Sequence, residues 1–210
     1  MDYLLPLAGF ALAHLLACAS PGPSFVYVTH VAASRSRGAG VLVSLAMAVG
    51  ALTWAAGALF GLQALLAQVA WLELALRLAG AAYLVWLGVT LLRSKAAPTA
   101  ETVPQASTDN DRGTALGLFG RALVLQMSNP KVMVFFGSIF VALLPAAAPQ
   151  WVFLVALAIV FVDEFLWYAL LSLLFSTRRA RDAFGRWRVW IDRATGGFLT
   201  VLGIRLALDR

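Results

Sequence analysis

The chain has 210 residues, of which 61% are apolar and 12% are charged, and its mean hydropathy is +0.85. Soluble domains have about 45–50% apolar and about 25% charged residues, so one water-exposed core cannot hide this much apolar surface. At about 20 residues per crossing, the length allows about six membrane spans, which excludes a sizeable soluble enzyme domain and intrinsic disorder. The composition therefore predicts an integral membrane protein that is not an enzyme.

The net charge of +6 arises from 16 Lys and Arg residues against 10 Asp and Glu residues. Nucleic-acid binding would need a basic face on a water-exposed module, and the sequence offers none. Two histidines and one cysteine argue against a metal cage and against an intramolecular disulfide. We therefore expect no cofactor and no nucleic-acid partner.

Charged and Pro- or Gly-rich stretches divide the chain into six apolar segments. They span residues 3–33, 41–67, 72–92, 114–144, 151–175 and 191–208. All are too long for membrane strands and none alternates, so we expect an all-α protein with six transmembrane helices. The first segment is predicted to be a retained span, because no Lys or Arg precedes Arg35 as a cleaved signal would require.

A Pro-, Ser- and Thr-containing stretch over residues 94–113 is predicted to be a flexible linker inside a single transporter domain covering residues 1–210. It separates two halves of three spans each, residues 1–93 and 114–210. Twelve of the 16 basic residues fall in three connections that share one side if there are six crossings. The positive-inside rule makes that side cytoplasmic and places both termini outside the inner membrane. Trp187 and Trp190 among the arginines of the last connection indicate either contact with anionic membrane lipid or a simple topology determinant.

The two halves carry signs of a repeat. Residues 79–89 align without gaps on residues 194–204, with four identities in eleven positions. Each half also opens with a segment of about 31 residues that is broken by proline in its middle. As one continuous helix such a segment would be ~46 Å long, whereas the hydrocarbon layer is ~30 Å thick. Because each half has an odd number of spans, we predict two inverted three-helix repeats whose first helix is broken at Pro, a pattern that points to a transporter site near the bilayer midplane.

The breaks themselves suggest how a substrate binds. Pro21 and Pro23 lack an N–H group and deprive the carbonyls of Ala17 and Ala19 of their usual donors, and Pro130 does the same to the carbonyl of Gln126. Freed carbonyls can hold an ammonium group, and a restarting half-helix offers its positive end to a carboxylate. We therefore predict that an amino acid binds at Pro21, Gly22, Pro23, Asn129 and Pro130, although prolines that merely kink helices for packing are the alternative.

Three ionisable residues lie deep in the spans, where each costs about 2.5–3.5 kcal/mol. Asp163 and Glu164 are adjacent and point about 100° apart, and we expect Asp163, with Tyr168, to face inward and take an ammonium group or the coupling proton. Glu164 is predicted to share the coupling. Lys131 follows the second break and either pairs with Asp163, binds the substrate carboxylate or alternates between the two; a permanent buried pair is the purely structural alternative. His14 is expected to be a neutral histidine hydrogen-bonded between helices.

Taken together, these motifs resemble one transporter family over essentially the whole chain. Ser20-Pro21-Gly22-Pro23 and the later Asn129-Pro130-Lys131 with Phe135-Phe136 are similar to those of LysE-type translocators, the LysE/RhtB amino-acid exporters. The resemblance implies a cytoplasmic-membrane exporter of amino acids or close derivatives driven by the proton motive force. Many members carry an acid after the glycine of span two, where this chain has Gly50-Ala51-Leu52-Thr53, and this departure favours a neutral substrate such as threonine or homoserine over a basic one.

Two other functions stay open at this stage. A metal-cation exporter of similar architecture would want several inward carboxylates or histidines. A membrane thiol-electron carrier would need a cysteine pair, and Cys18 is the single cysteine. Assembly as a homo-oligomer is not readable from the sequence.

Overall fold

The computed structural model describes residues 3–66, 70–93, 114–143, 148–175 and 178–208, and the regular elements in these ranges are all α-helices. They are α1 (Leu4–Ala19), α2 (Pro23–Ser34), α3 (Arg37–Leu66), α4 (Ala70–Leu92), α5 (Ala115–Met127), α6 (Pro130–Leu143), α7 (Gln150–Leu174) and α8 (Arg178–Leu208). The predicted linker over residues 94–113 lies outside the described residues.

The helices follow the six predicted segments, with the first and fourth each divided in two. Helix α7 and the Arg37–Gly61 part of α3 are long and apolar enough to cross a membrane. The pairs α1–α2 and α5–α6 pass the same test jointly, bent by 59° and 56° at their breaks. The described residues thus hold two to four candidate spans, which makes the chain a multi-pass membrane protein; six crossings stay a prediction.

Helix α7 shows that the packing is arranged for lipid. Its outward stripe of Val162, Leu166 and Leu170 is apolar and exposed, with Leu166 59% exposed. Its buried stripe carries polar groups, including Glu164 and Ser172. A soluble helix shows the reverse arrangement, because water solvates its outer face.

The central contacts pair the two halves in an equivalent way. Helices α3 and α7 pack on each other; α3 also contacts α5 and α6, and α7 also contacts α1 and α2. The predicted repeat matches α3 with α7, α5 with α1 and α6 with α2. Each of these contacts therefore has its counterpart in the other half, as a pseudo-two-fold arrangement requires.

Helices α4 and α8 form the most extensive helix pair, and glycines bring their backbones together. A Cβ on Gly196 would lie 2.5 Å from the carbonyl oxygen of Gly88, and one on Gly203 would lie 2.8 Å from that of Ala81. Because the contacts run in opposite directions along the two helices, the pair is antiparallel. The sequence alignment of spans three and six matches Gly88 with Gly203 and Ala81 with Gly196. Under this alignment the contact between Gly88 and Gly196 corresponds to the contact between Gly203 and Ala81.

We expect Gly196→Ala to lower the free energy of unfolding by about 1–3 kcal/mol, because the new methyl group would meet the backbone of α4. The matched control is Gly197→Ala, one residue further along, where an added Cβ meets nothing within 4 Å. Thermal unfolding of both variants in detergent measures the difference. Equal effects of the two substitutions would contradict the close helix contact.

Candidate functional site

The first break lies between α1 and α2. Ser20 and Gly22, each preceding a proline, are both extended, with ψ of 124° and −174°. Pro23 then opens α2 at its first turn, where no N–H donor is needed. Helix α1 therefore ends on carbonyl groups that the N–H groups of the following turn do not pair, as the sequence predicts for Ala17.

The second break, between α5 and α6, is closed differently. The side chain of Asn129 accepts the backbone N–H of Lys131 at 3.0 Å, which caps the new helix, and Pro130 occupies its first turn. The backbone N–H of Asn129 donates to the carbonyl of Gln126 at 3.2 Å. The Gln126 carbonyl, whose usual donor Pro130 removes, is therefore paired by a tight turn and is not free to bind a ligand as the end of α1 is.

Lys131 joins the two breaks. Its Nζ donates to the carbonyl oxygens of Ala17 at 2.9 Å and Ser20 at 3.0 Å. These groups form the negative C-terminal end of α1, so a cation is favoured there. The freed carbonyls do bind an ammonium group, and in this structure it is that of Lys131, which does not pair with Asp163.

Of the two adjacent acids, Glu164 rather than Asp163 lines the cavity between the breaks. Glu164 is 4% exposed and accepts hydrogen bonds from Gln126 Nε2 at 2.7 Å and Cys18 Sγ at 2.8 Å. The side chain of Asp163 is 20% exposed and lies 3.4 Å from Nδ1 of His14. Asp163 therefore faces inward less than expected. The buried stripe of α7 passes through Glu164 and Tyr168 instead.

A hydrogen-bonded chain connects the acid to both breaks. Asn129 Nδ2 donates to Ser24 Oγ at 2.9 Å, and Ser24 Oγ donates to Gln126 Oε1 at 2.5 Å. Gln126 then donates to Glu164. Every member is buried, and each finds a partner in another member, which is the condition under which buried polar groups are tolerated.

Ser24, Asn129 and Glu164 line a cavity of about 30 Å³, and Gln126 lies behind its wall. Its predicted members are Gly22, Asn129, Lys131, Glu164 and Tyr168, whereas Pro21, Pro23, Pro130 and Asp163 do not line it. The prolines thus shape the site through the backbone without contacting its contents. Sequence reasoning did not assign four further polar wall residues, namely His14, Cys18, Ser20 and Ser24.

Two features in the sequence could have pointed to these missed residues. His14 and Cys18 are four apart on the face of α1 that precedes the break, and Ser20 and Ser24 flank the Pro-Gly-Pro motif. Aromatic rings close the cavity on the α6 side, where His14 stacks on Phe136 with ring centroids 5.5 Å apart.

Comparison with known proteins finds a matching family and relatives of similar length. A family model described as "LysE type translocator" matches residues 15–210. The threonine efflux proteins of Salmonella typhi and Escherichia coli (strain K12) are each 30% identical over 203 residues, 95% of this chain and 96% of theirs. The homoserine/homoserine lactone efflux protein of Salmonella typhi is 37% identical over 75 residues, which are 36% of this chain and 34% of that protein.

No solved structure matches the chain. The family match covers nearly all of the sequence, including both proline breaks, and the threonine efflux proteins match it almost end to end. The resemblance seen in the Pro-Gly-Pro and Asn-Pro-Lys motifs is thereby confirmed. The chain belongs to the family of LysE type translocators.

Proposed function

We propose that this protein exports a small neutral amino acid carrying a hydroxyl group, driven by the proton motive force. The observation that carries the proposal is a buried cavity that has Lys131 and Glu164 on its wall and lies between the two helix breaks. The relatives named for threonine and homoserine efflux support the same substrate class.

An amino acid is a zwitterion and needs one partner of each charge. Lys131 lies at the positive N-terminal end of α6 and suits the carboxylate, while Glu164 suits the ammonium group. Apart from His14, which is titratable, Lys131 and Glu164 are the charged groups on the described part of the cavity wall. A basic side chain would need a further acid, and the span-two position where other members carry one is Ala51, fully buried in this core.

Ser20 supports a hydroxyl-bearing substrate. It is 2% exposed and lines the cavity, and its Oγ has no hydrogen-bond partner among the described residues. A buried hydroxyl without a partner costs free energy that a bound ligand can recover. Threonine and homoserine both carry a hydroxyl group that can pair with it.

The free space of the cavity in this structure is smaller than a substrate. A volume of about 30 Å³ holds about two waters, at about 10–15 Å³ each, which is less than an amino-acid backbone occupies. Substrate entry therefore requires the half-helices to move, and the bends at the two breaks provide the hinges. We propose that this movement also opens the site alternately to the two sides of the membrane.

Proton entry is coupled to amino-acid export because the proton and the substrate ammonium group compete for the carboxylate of Glu164. On the acidic outer side a proton binds Glu164 and displaces the substrate ammonium group, and on the cytoplasmic side the proton leaves and a new substrate binds. Asp163 takes part through His14, whose ring lies 3.4 Å from Asp163 and 3.5 Å from Glu164. One proton entering for each amino acid leaving would preserve the charge of the site.

We place this transporter in the inner membrane as six spans in two inverted repeats, with both termini outside. The equivalent contacts of α3 and α7 and the antiparallel α4–α8 pair support the repeat. The apolar outer stripe of α7 suits contact with membrane lipid. Thiol-electron transfer is disfavoured, because Cys18 is the single cysteine.

Gradient-driven efflux of labelled threonine from loaded vesicles tests the function directly. We expect Lys131→Ala to lose about 10- to 100-fold in efflux and in threonine counterflow without a gradient, because a charged hydrogen bond to the substrate is worth about 1.5–3 kcal/mol. Glu164→Gln should lose gradient-driven efflux yet retain measurable counterflow, because glutamine still accepts a hydrogen bond but cannot exchange a proton.

The matched control is Asp163→Asn, which neutralises the neighbouring acid outside the cavity wall. It should reduce gradient-driven efflux less than Glu164→Gln does. Efflux that survives a protonophore would overturn the coupling, and the reverse order of the two acid variants would restore Asp163 as the principal coupling residue.

Ser20→Ala tests the hydroxyl assignment. We expect it to reduce threonine efflux while leaving the efflux of the isosteric valine nearly unchanged, because only threonine loses a hydrogen bond. The measured quantity is the threonine-to-valine ratio of efflux rates, which a general packing defect would leave constant.

Labelling with a membrane-impermeant maleimide tests the topology. Ser34→Cys, at the exposed end of α2, should react only after permeabilisation, whereas Gln150→Cys, at the exposed start of α7, should react from outside intact cells. The wild-type chain, with its buried Cys18, gives the background. Labelling of both positions from the same side would mean that the bent pair α5–α6 is re-entrant and that the inverted repeat is wrong.

A further inference from the structure

Three side chains on the cavity wall have the chemistry of a metal site. Among the described residues, His14, Cys18 and Glu164 present ligand atoms that all lie within 4.8 Å of one another, and all three are buried. Nitrogen, thiolate and carboxylate ligands together favour zinc and the similar cadmium ion over magnesium. Glu164 has an oxygen to spare, because Gln126 engages Oε1 while Oε2 faces Cys18 and His14.

The separations of these atoms are close to those around a tetrahedral ion. Bond lengths of ~2.3 Å to sulfur and ~2.0–2.1 Å to nitrogen or oxygen imply ligand separations of about 3.3–3.6 Å. His14 Nε2 lies 3.7 Å from Cys18 Sγ and 3.5 Å from Glu164 Oε2. The third separation, Cys18 Sγ to Glu164 Oε2, is 2.8 Å, because the thiol now donates a hydrogen bond there. Replacing that proton with an ion requires this pair to open by about 0.8 Å.

A second observation, from outside the three ligands, points the same way. Asp163 lies 3.4 Å from Nδ1 of His14, on the opposite side of the ring from Nε2. Histidines that bind zinc commonly donate their other N–H to a carboxylate, which orients the ring and raises its basicity. The two adjacent acids of α7 thus have different roles: Glu164 can bind the ion directly, and Asp163 orients the ring of His14.

We propose that His14, Cys18 and Glu164 form a binding site for one zinc or cadmium ion, oriented by Asp163, with a water in the cavity as the fourth ligand. Binding releases the thiol proton of Cys18 to solvent. The thiolate and the Glu164 carboxylate together balance the charge of the ion, so the ligated site is neutral. Relative to the empty site, in which Cys18 is a neutral thiol, binding adds one positive charge beside Lys131. The cavity of about 30 Å³ accepts an ion and a water without the opening that an amino acid requires.

The ion would also lock the transporter, a consequence that rests on the proposed function. It links α1 to α7 and occupies the carboxylate assigned to the substrate and the coupling proton. Micromolar zinc should therefore inhibit threonine efflux, whereas magnesium should not.

Cadmium titration of the purified full-length protein in detergent tests the binding site independently of transport. Because Cys18 is the single cysteine, a thiolate-to-cadmium charge-transfer band can arise only from it. We expect a band that saturates at one ion per chain and is lost in Cys18→Ser. Affinity should fall about 10- to 100-fold in Asp163→Asn and at least as much in His14→Gln.

The matched control is His30→Gln, which changes the other histidine of the chain, exposed on α2, and should leave the titration unchanged. Should Cys18→Ser fail to fold, loss of the cadmium band from the wild-type protein on adding excess zinc, but not magnesium, gives the same answer. No band at millimolar cadmium, or an unchanged affinity in both His14→Gln and Glu164→Gln, would overturn the site. A normal titration with zinc-insensitive efflux would uphold the site and contradict only the proposed transport role of Glu164.

Discussion

The hydrogen bonds from Lys131 to the end of α1 are the contact on which the rest of the site depends. A helix broken inside a membrane must satisfy the carbonyls that the break exposes, because lipid offers no donor. Here the donor comes from the other half of the chain, 2.9 Å from the Ala17 carbonyl and 3.0 Å from that of Ser20. The two breaks are thereby held side by side, and the cavity lies where they meet.

Under the proposed function, this contact would also tie substrate binding to the conformation of the helix ends. The ammonium group of Lys131 cannot serve a substrate carboxylate fully while it satisfies two carbonyls. Under the proposed function, a bound amino acid would weaken the hold of Lys131 on α1, and its departure would restore it. A ligand shifts a conformational equilibrium only through such a difference in contacts between states, and this exchange supplies one.

The sequence predicts the helical segments and both breaks, because apolar length and proline act locally. The Pro21-Gly22-Pro23 and Asn129-Pro130 motifs lie at the bends that the structure shows. The rotation of α7 was harder to predict, because Phe161, Val162, Phe165 and Leu166 make the helix apolar all round the two acids. When lipid is the solvent, an apolar face does not reveal which side is buried.

The spacing of residues along α7 does indicate, though more weakly, which face of the helix is buried. Ala156, Val160, Glu164, Tyr168 and Ser172 recur every four residues and combine small with polar side chains, which is typical of a helix face in contact with other helices. The partners of Glu164 could not be read in this way. Cys18 lies 146 residues away and Gln126 lies 38 away, so only the packed fold brings them to one carboxylate.

The two breaks occupy matching places in the halves but differ in chemistry, and in the proposed function this difference would orient the substrate. The first break exposes carbonyls at the end of α1 and favours a cation, whereas the second presents the capped start of α6 and Lys131 and favours an anion. Two identical breaks would bind two like charges and could not orient a zwitterion. In the proposed transporter, a scaffold of two inverted repeats would open to either side of the membrane, and the unlike breaks would keep the substrate in one orientation while it does so.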